Sequence, residues 1–115
     1  MSLDFRGYFD IFINMEMKTI VNQLSALAQE SRLSIFRILV EAGPQGLSAG
    51  EISSELGIPP PTLSFHLKDL NQAGLVESER DGRSIVYRAS YESMTQLIDY
   101  LKQNCCRRQP ANKCC

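Results

Sequence analysis

The chain has four cysteines, and all of them lie close to its end as two adjacent pairs, Cys105–Cys106 and Cys114–Cys115. Thiolates are soft ligands that select thiophilic ions over hard ions such as Mg²⁺ or Ca²⁺. Three cationic side chains stand between the two pairs and would attract the negative thiolate form: Arg107, Arg108 and Lys113. We therefore predict a thiol site near the end of the chain.

The chemistry of this site has three candidates. Trivalent arsenic or antimony binds three thiolates in a pyramid, which Cys105 and Cys106 could begin as a small chelate and Cys114 or Cys115 could complete. Four thiolates would instead suit Cd(II), Pb(II) or Zn(II). The same cysteines could also act without a metal, as a thiol redox or persulfide switch.

A second group of candidate residues lies in Ile58–Val76, which reads IPPPTLSFHLKDLNQAGLV. Upstream of it, Ser48 and Glu51 have the spacing of a capping box, so a short helix is expected to start there and to end at Gly57. A longer helix then runs until it is stopped near Gly74. A short helix, a turn and a longer helix predict a helix-turn-helix.

The longer helix has an apolar stripe that faces the core and a mixed face that points outward. At about 100° per residue, Leu63, Leu67 and Leu70 share one side of the helix. Phe65 and Lys68 lie opposite, while Thr62 and Ser64 lie on the flanks. These positions favour DNA contacts, although Phe65 could instead pack on the base of a hairpin, and the polar residues could simply be solvated.

The only histidine and the residues that follow the helix complete this interpretation. His66 lies beside the apolar stripe and, without a second histidine, is expected to be structural or to face a phosphate rather than to bind a metal. Asp81-Gly82 predicts a two-residue hairpin turn, with Arg80 and Arg83 placed to reach DNA on either side of it. Nearby acidic residues dilute this charge.

The remaining helices follow from apolar periodicity. A first helix is predicted from Met17, a second up to Gly43-Pro44, and a last helix from about Ser90 to Asn104. The order of elements predicts a mainly α fold with a small β-hairpin, a winged helix-turn-helix. We divide the chain into an N-terminal extension (1–14), a winged-helix domain (15–104) and a cysteine-rich tail (105–115).

Composition narrows the function classes. The net charge of −1 provides no overall basic field, so DNA binding must depend on local charge and on dimerisation. No apolar stretch is long enough to span a bilayer and no signal peptide is recognisable, so a cytoplasmic protein without a membrane partner is expected. The sequence shows no nucleophile–base–orienter set and no phosphate-binding loop, so an enzyme is not expected.

Much of the chain, Gln23 to Leu101, resembles the ArsR/SmtB family of winged-helix repressors. The resemblance rests on three stretches: LSALAQESRLSIFRIL, the S-x-H-L-x-x-L-x-x-A-G-L-V pattern at Ser64–Val76, and DGRSIVYR at Asp81–Arg88. It implies a homodimer, formed mainly by the first and last helices, that represses transcription and leaves its operator when an inducer binds. The apolar residues expected in that dimer interface are Ile20, Leu24, Leu97, Ile98 and Leu101.

The resemblance also guides the choice of site residues. Ser64 matches a DNA-contact position well, Thr62 and the wing arginines match more loosely, and members of the family often have histidine where this chain has Phe65. Two inducer sites that occur in members of the family are missing from this chain. They are a cysteine motif on the third helix and a site built from Asp and His on the last helix. The predicted DNA-binding residues are Ser48, Thr62, Ser64, Phe65, His66, Lys68, Arg80 and Arg83.

These observations predict a repressor that binds double-stranded operator DNA and is released when arsenite, methylarsenite or antimonite binds the C-terminal thiolates. The terminal cysteines are similar to the arsenic sites of some family members. A redox, persulfide, Cd(II), Pb(II) or Zn(II) response on the same fold is the alternative. A winged-helix module that binds proteins instead of DNA is an alternative of another class.

Overall fold

The computed structural model describes residues 16–109, which form five α-helices, one short 3₁₀ helix (Gly43–Gln45) and one small sheet. The N-terminal extension, Cys114 and Cys115 lie outside these residues. The helices are α1 (16–27), α2 (Glu30–Ala42), α3 (Ala49–Leu56), α4 (Pro60–Gln72) and α5 (Tyr91–Lys102), and the strands are β1 (Leu47–Ser48), β2 (Val76–Asp81) and β3 (Ser84–Ala89). The predicted order of a winged helix-turn-helix is confirmed.

Apolar side chains from α2, α3, α4 and the sheet form one core. Ile35 and Leu39 of α2 are fully buried, as is Ile52 of α3, and each such side chain contributes about 1.5–3 kcal/mol relative to its exposed state. The predicted inward stripe of α4, Leu63, Leu67 and Leu70, joins them. Leu33 of α2, although apolar, is 44% exposed. The core therefore holds α4 by one face only.

The sheet has three antiparallel strands, one more than the sequence predicted. β3 lies between β2 and the short β1, where Leu47 pairs with Tyr87 and Ser48 with Val86. A two-residue strand is too short to show an alternating pattern in the sequence. Gly46, which precedes it at φ 66°, approaches the backbone so closely that a Cβ would overlap the Tyr87 carbonyl oxygen. The added strand joins the base of the wing to the helix-turn-helix.

The hairpin turn is one residue later than predicted. Asp81 pairs with Ser84, so the two loop residues are Gly82 and Arg83 rather than Asp81 and Gly82. Gly82 has φ 65°, whereas Arg83 is not among the residues with positive φ, which is the sign pattern of a type II′ turn. Arg83 therefore lies at the tip of the wing, and Arg80 pairs with Ile85.

The last helix is shorter than its apolar pattern suggested. Ser90 caps α5 by accepting a hydrogen bond from the Ser93 amide, and the helix ends at Lys102. Asn104 and Cys106 both have positive φ, 60° and 63°, so the chain beyond Lys102 turns instead of continuing the helix. Cys105 therefore lies beyond α5 and does not continue its apolar face. Within residues 16–109, none of the helices is long and apolar enough to cross a lipid bilayer.

Candidate DNA interface and thiol site

The helix α4 presents its outward face to solvent, as a recognition helix must. Thr62, Ser64, Phe65 and Lys68 are all exposed, while the leucine stripe behind them is buried. Phe65 has 70% of its surface exposed, which excludes packing on the base of the hairpin within this chain. His66 is half-buried, in agreement with its predicted place at the margin of the stripe. The chain thus brings four of the predicted DNA-binding residues to one surface.

Local hydrogen bonds set the orientation of α3 and α4. The predicted capping box is present: Ser48 Oγ accepts from the Glu51 amide at 3.2 Å, and Glu51 Oε1 accepts from the Ser48 amide at 2.8 Å. Across the turn, Ser53 Oγ donates to the Ile58 carbonyl at 2.6 Å. The hydroxyl oxygen of Ser48 is therefore engaged in capping, and only its proton is left for a DNA phosphate.

The end of α4 is held by a Schellman motif. The Leu75 amide donates to the Leu70 carbonyl and the Gly74 amide to the Asn71 carbonyl, with Gly74 at φ 79°. The Asn71 side chain then donates to the Val76 carbonyl at 3.0 Å, which links the helix end to the first strand of the wing. These bonds relate the wing rigidly to the recognition helix.

An arginine that the sequence interpretation overlooked braces α4 from behind. The Arg32 side chain donates from Nε to the Ala26 carbonyl near the end of α1 at 2.6 Å. Its Nη1 also pairs with Asp69 Oδ2 of α4 at 3.3 Å. Arg32 lies in one of the stretches quoted for the family resemblance, but nothing local shows that it reaches two other helices. Only the packing of α1, α2 and α4 brings these groups together.

The wing has three arginines, of which two are exposed and one is engaged in contacts within the protein. Arg80 and Arg83 are both exposed. Arg88 instead pairs with Glu79 at 2.8 Å and donates from Nε to the Pro44 carbonyl at 2.7 Å. The acidic side chain of Glu79 is thus neutralised within the wing, which leaves the two exposed arginines as the cations available for phosphates.

The residues predicted for dimerisation separate into two groups. Leu24 on α1 and Ile98 and Leu101 on α5 are exposed, at 41%, 45% and 61%. Ile20 and Leu97 are already buried within the single chain, so little of their surface remains for a partner subunit. Two further exposed apolar residues of α1, Met17 and Val21, were not among the predicted set. The first and last helices thus carry exposed apolar side chains, and their role in dimerisation stays a prediction.

The first cysteine pair lies just beyond α5. Cys105 Sγ is 3.1 Å from Cys106 Sγ, which is longer than the S–S bond of about 2.0 Å, so these two cysteines are not bonded to each other. Cys106 nevertheless takes part in a disulfide. The Cys105 amide donates to the Lys102 carbonyl at 3.0 Å, so the pair is attached directly to the last turn of α5. Cys106, Arg107 and Arg108 line a shallow pocket there with Asn104 and Gln109.

Residues 16–109 by themselves hold no cluster of three side chains able to bind a metal ion. Cys105 and, once its disulfide is reduced, Cys106 can offer two thiolates. A third thiolate would have to come from Cys114 or Cys115, which lie outside the described residues.

Comparisons with known proteins agree with this architecture. A helix-turn-helix domain family matches residues 27–79. A biofilm growth-associated repressor from Xylella fastidiosa is 33% identical over 90 residues, which cover 78% of this chain and 76% of that protein. A protein named "Putative arsenical resistance operon repressor ArsR", from Halobacterium salinarum, is 37% identical over 78 residues, which cover 68% of this chain and 60% of that protein.

Solved structures show the same relationship. An ArsR-like transcriptional regulator from Rhodococcus sp. RHA1 superposes with a TM-score of 0.68 at 29% identity, covering 76% of this chain and 79% of that one. Reduced HlyU from Vibrio cholerae superposes with a TM-score of 0.61 at 32% identity, covering 79% and 96%. These relatives are DNA-binding transcriptional regulators rather than enzymes. The chain belongs to the ArsR/SmtB family of winged-helix transcriptional regulators.

Proposed function

We propose that this regulator is a homodimeric repressor that binds operator DNA and is released when trivalent arsenic or antimony binds thiolates of Cys105 and Cys106. The observation that supports the inducer is the 3.1 Å separation of the two sulfur atoms at the end of α5. Once the disulfide of Cys106 is reduced, one small ion can contact both sulfur atoms at this separation. A third thiolate, from Cys114 or Cys115, would complete the pyramid that trivalent arsenic prefers.

The sulfur separation favours a pyramidal ion over a tetrahedral one. Zn–S bonds of about 2.3 Å at tetrahedral angles place two sulfur atoms about 3.8 Å apart. The lone pair of trivalent arsenic compresses the angles between its thiolates, so a shorter separation suits it better. The name of the Halobacterium salinarum relative, an arsenical resistance operon repressor, agrees with this choice.

The exposed apolar surface of α1 and α5 supports the homodimer. A dimer presents two copies of α4 to two half-sites, about 34–36 Å or one helical turn apart. Because the Cys105 amide is hydrogen-bonded to Lys102 of α5, an ion that rearranges the cysteines also changes the end of a dimer helix. Release of the operator then needs only a few kcal/mol of differential affinity between the two arrangements.

A thiol redox switch is the second candidate, because Cys106 takes part in a disulfide. A disulfide sulfur cannot act as a thiolate ligand, so arsenic binding by Cys106 requires prior reduction. In this second proposal, oxidation itself would release the DNA.

A titration of the promoter complex separates these proposals. The purified chain, fully reduced with a phosphine under nitrogen, is bound to its own upstream promoter DNA and followed by fluorescence anisotropy. Arsenite, Zn(II), Cd(II) and hydrogen peroxide are then added in separate titrations. Release by arsenite at the lowest concentration supports the arsenic proposal, whereas release by peroxide alone overturns it in favour of the redox switch.

Serine variants locate the ligands. Cys105→Ser and Cys106→Ser should both retain DNA binding and lose release by arsenite. Cys114→Ser, Cys115→Ser and the variant that carries both changes test the source of the third thiolate. If arsenite fails to release the DNA only in the double variant, either residue can supply that thiolate. A normal arsenite response in Cys105→Ser would exclude the adjacent pair as the inducer site. If the chain binds no promoter fragment at all, the result would favour a winged-helix module that binds proteins instead of DNA.

A further inference from the structure

Phe65 is the most exposed large apolar side chain among the described residues. It shows 70% of its surface, whereas Leu63 and Leu67 on the opposite side of the same helix show 1% and 3%. The core and the wing leave this phenyl ring uncovered. An uncovered phenyl ring in the outward face of α4 is available for an apolar contact outside the chain.

The position of Phe65 on the helix limits what that contact is. It is the sixth residue of α4, within the first two turns, where recognition helices contact base edges. Its neighbours one turn away on the same face, Pro61 and Lys68, are exposed too. A helix about 10–12 Å across fills a major groove about 12 Å wide, so the outermost side chain of these turns meets the floor of the groove.

The chemistry of the groove floor then selects the partner. A phenyl ring has no hydrogen-bond donor, so it cannot bind a phosphate or read the acceptors of guanine and adenine. The apolar group that a base pair presents in the major groove is the C5-methyl of thymine. Burying one methyl group against an apolar ring strengthens binding about fourfold.

The surroundings of Phe65 also favour approach to DNA. Asp69, one turn further along α4, has its carboxylate paired with Arg32 at 3.3 Å. This pairing reduces the repulsion between that carboxylate and the DNA phosphates. Lys68 supplies a positive charge on the outward side, where it can meet a phosphate.

We propose that Phe65 determines sequence specificity by packing on the C5-methyl of a thymine in each operator half-site. This inference rests on the proposed binding of operator DNA and deepens it by naming the base that is read. The variant Phe65→Ala should fold with little loss of stability, because the ring that it removes is mostly exposed.

The test removes the methyl group alone. Sites are first selected from random duplex DNA with the reduced full-length chain. Each thymine of the selected half-site is then replaced by deoxyuridine, which keeps every hydrogen bond of the base pair. We expect one position in each half-site at which deoxyuridine weakens binding by the wild-type chain about fourfold, and no such loss at that position for Phe65→Ala.

Lys68→Ala is the matched control on the same face. It should weaken binding to every duplex equally, reduce the salt dependence, and keep the sensitivity to deoxyuridine. Equal loss on deoxyuridine substitution in wild type and Phe65→Ala, or no loss at any position, overturns the assignment of Phe65 while leaving DNA binding intact. If no duplex is selected, both this inference and the proposed function fail.

Discussion

The Arg32 guanidinium lies 3.3 Å from the Asp69 carboxylate, and the same side chain donates a 2.6 Å hydrogen bond to the Ala26 carbonyl. One residue of α2 thus joins α1, which belongs to the proposed dimer surface, to the recognition helix. A change at the proposed dimer surface therefore has a direct structural connection to the recognition helix.

Replacing Arg32 by alanine should cost more stability than removing the charge of its partner. The part-buried, charge-assisted bond to Ala26 contributes about 2 kcal/mol, whereas the ion pair with the half-exposed Asp69 contributes about 0.5 kcal/mol. Urea denaturation of Arg32→Ala and Asp69→Asn measures both free energies of unfolding. Equal losses in the two variants would show that the backbone bond contributes nothing.

The glycine before the third strand should tolerate no side chain. Gly46 combines φ 66° with a close approach to Tyr87, so Gly46→Ala is expected to destabilise the fold by about 2 kcal/mol or more. Gly82→Ala is the matched control: it has a similar φ of 65° but open space around it, so it isolates the backbone cost of about 1–2 kcal/mol. Thermal denaturation of both variants gives the comparison, and a smaller loss at Gly46 would contradict the observed packing.

Removing either exposed arginine of the wing should reduce the salt dependence of DNA binding. Each phosphate contact that is lost reduces the slope of log affinity against log salt by about 0.9. We expect this change in Arg80→Ala and Arg83→Ala. Arg88→Ala should leave the slope unchanged and reduce stability instead, because Arg88 is engaged with Glu79 and Pro44. A reduced slope in Arg88→Ala alone would place the DNA on the other face of the wing.

The exposed apolar residues of α5 should hold the dimer together. Ile98→Glu and Leu101→Glu place charges on the proposed interface and are expected to shift the chain to monomers in sedimentation equilibrium, with weaker DNA binding as a result. Gln96→Glu adds the same charge at an exposed position of α5 outside this apolar set and should remain dimeric. Dimers that persist in both α5 variants would exclude this surface.

Local patterns in the sequence were sufficient to predict the helices of the helix-turn-helix. The capping box of Ser48 and Glu51, the stop at Gly74 and the leucine stripe of α4 each act over a few residues, so their spacing alone indicated the helix-turn-helix. The same patterns indicated the outward position of Phe65 and the placement of the cysteines after the last helix. They also misplaced the hairpin turn by one residue, because Asp81-Gly82 and Gly82-Arg83 are both acceptable turn pairs.

What remained depended on contacts between residues far apart in the chain. The pairing of Leu47 with Tyr87, the bridge from Arg32 to Asp69, and the burial of Ile20 and Leu97 exist only once the helices have packed. The sequence by itself determined the kind of fold and its recognition helix, since these depend on short-range periodicity and capping. Tertiary structure decided which charges are engaged within the chain and which side chains stay exposed on the recognition helix, on the wing and on the first and last helices.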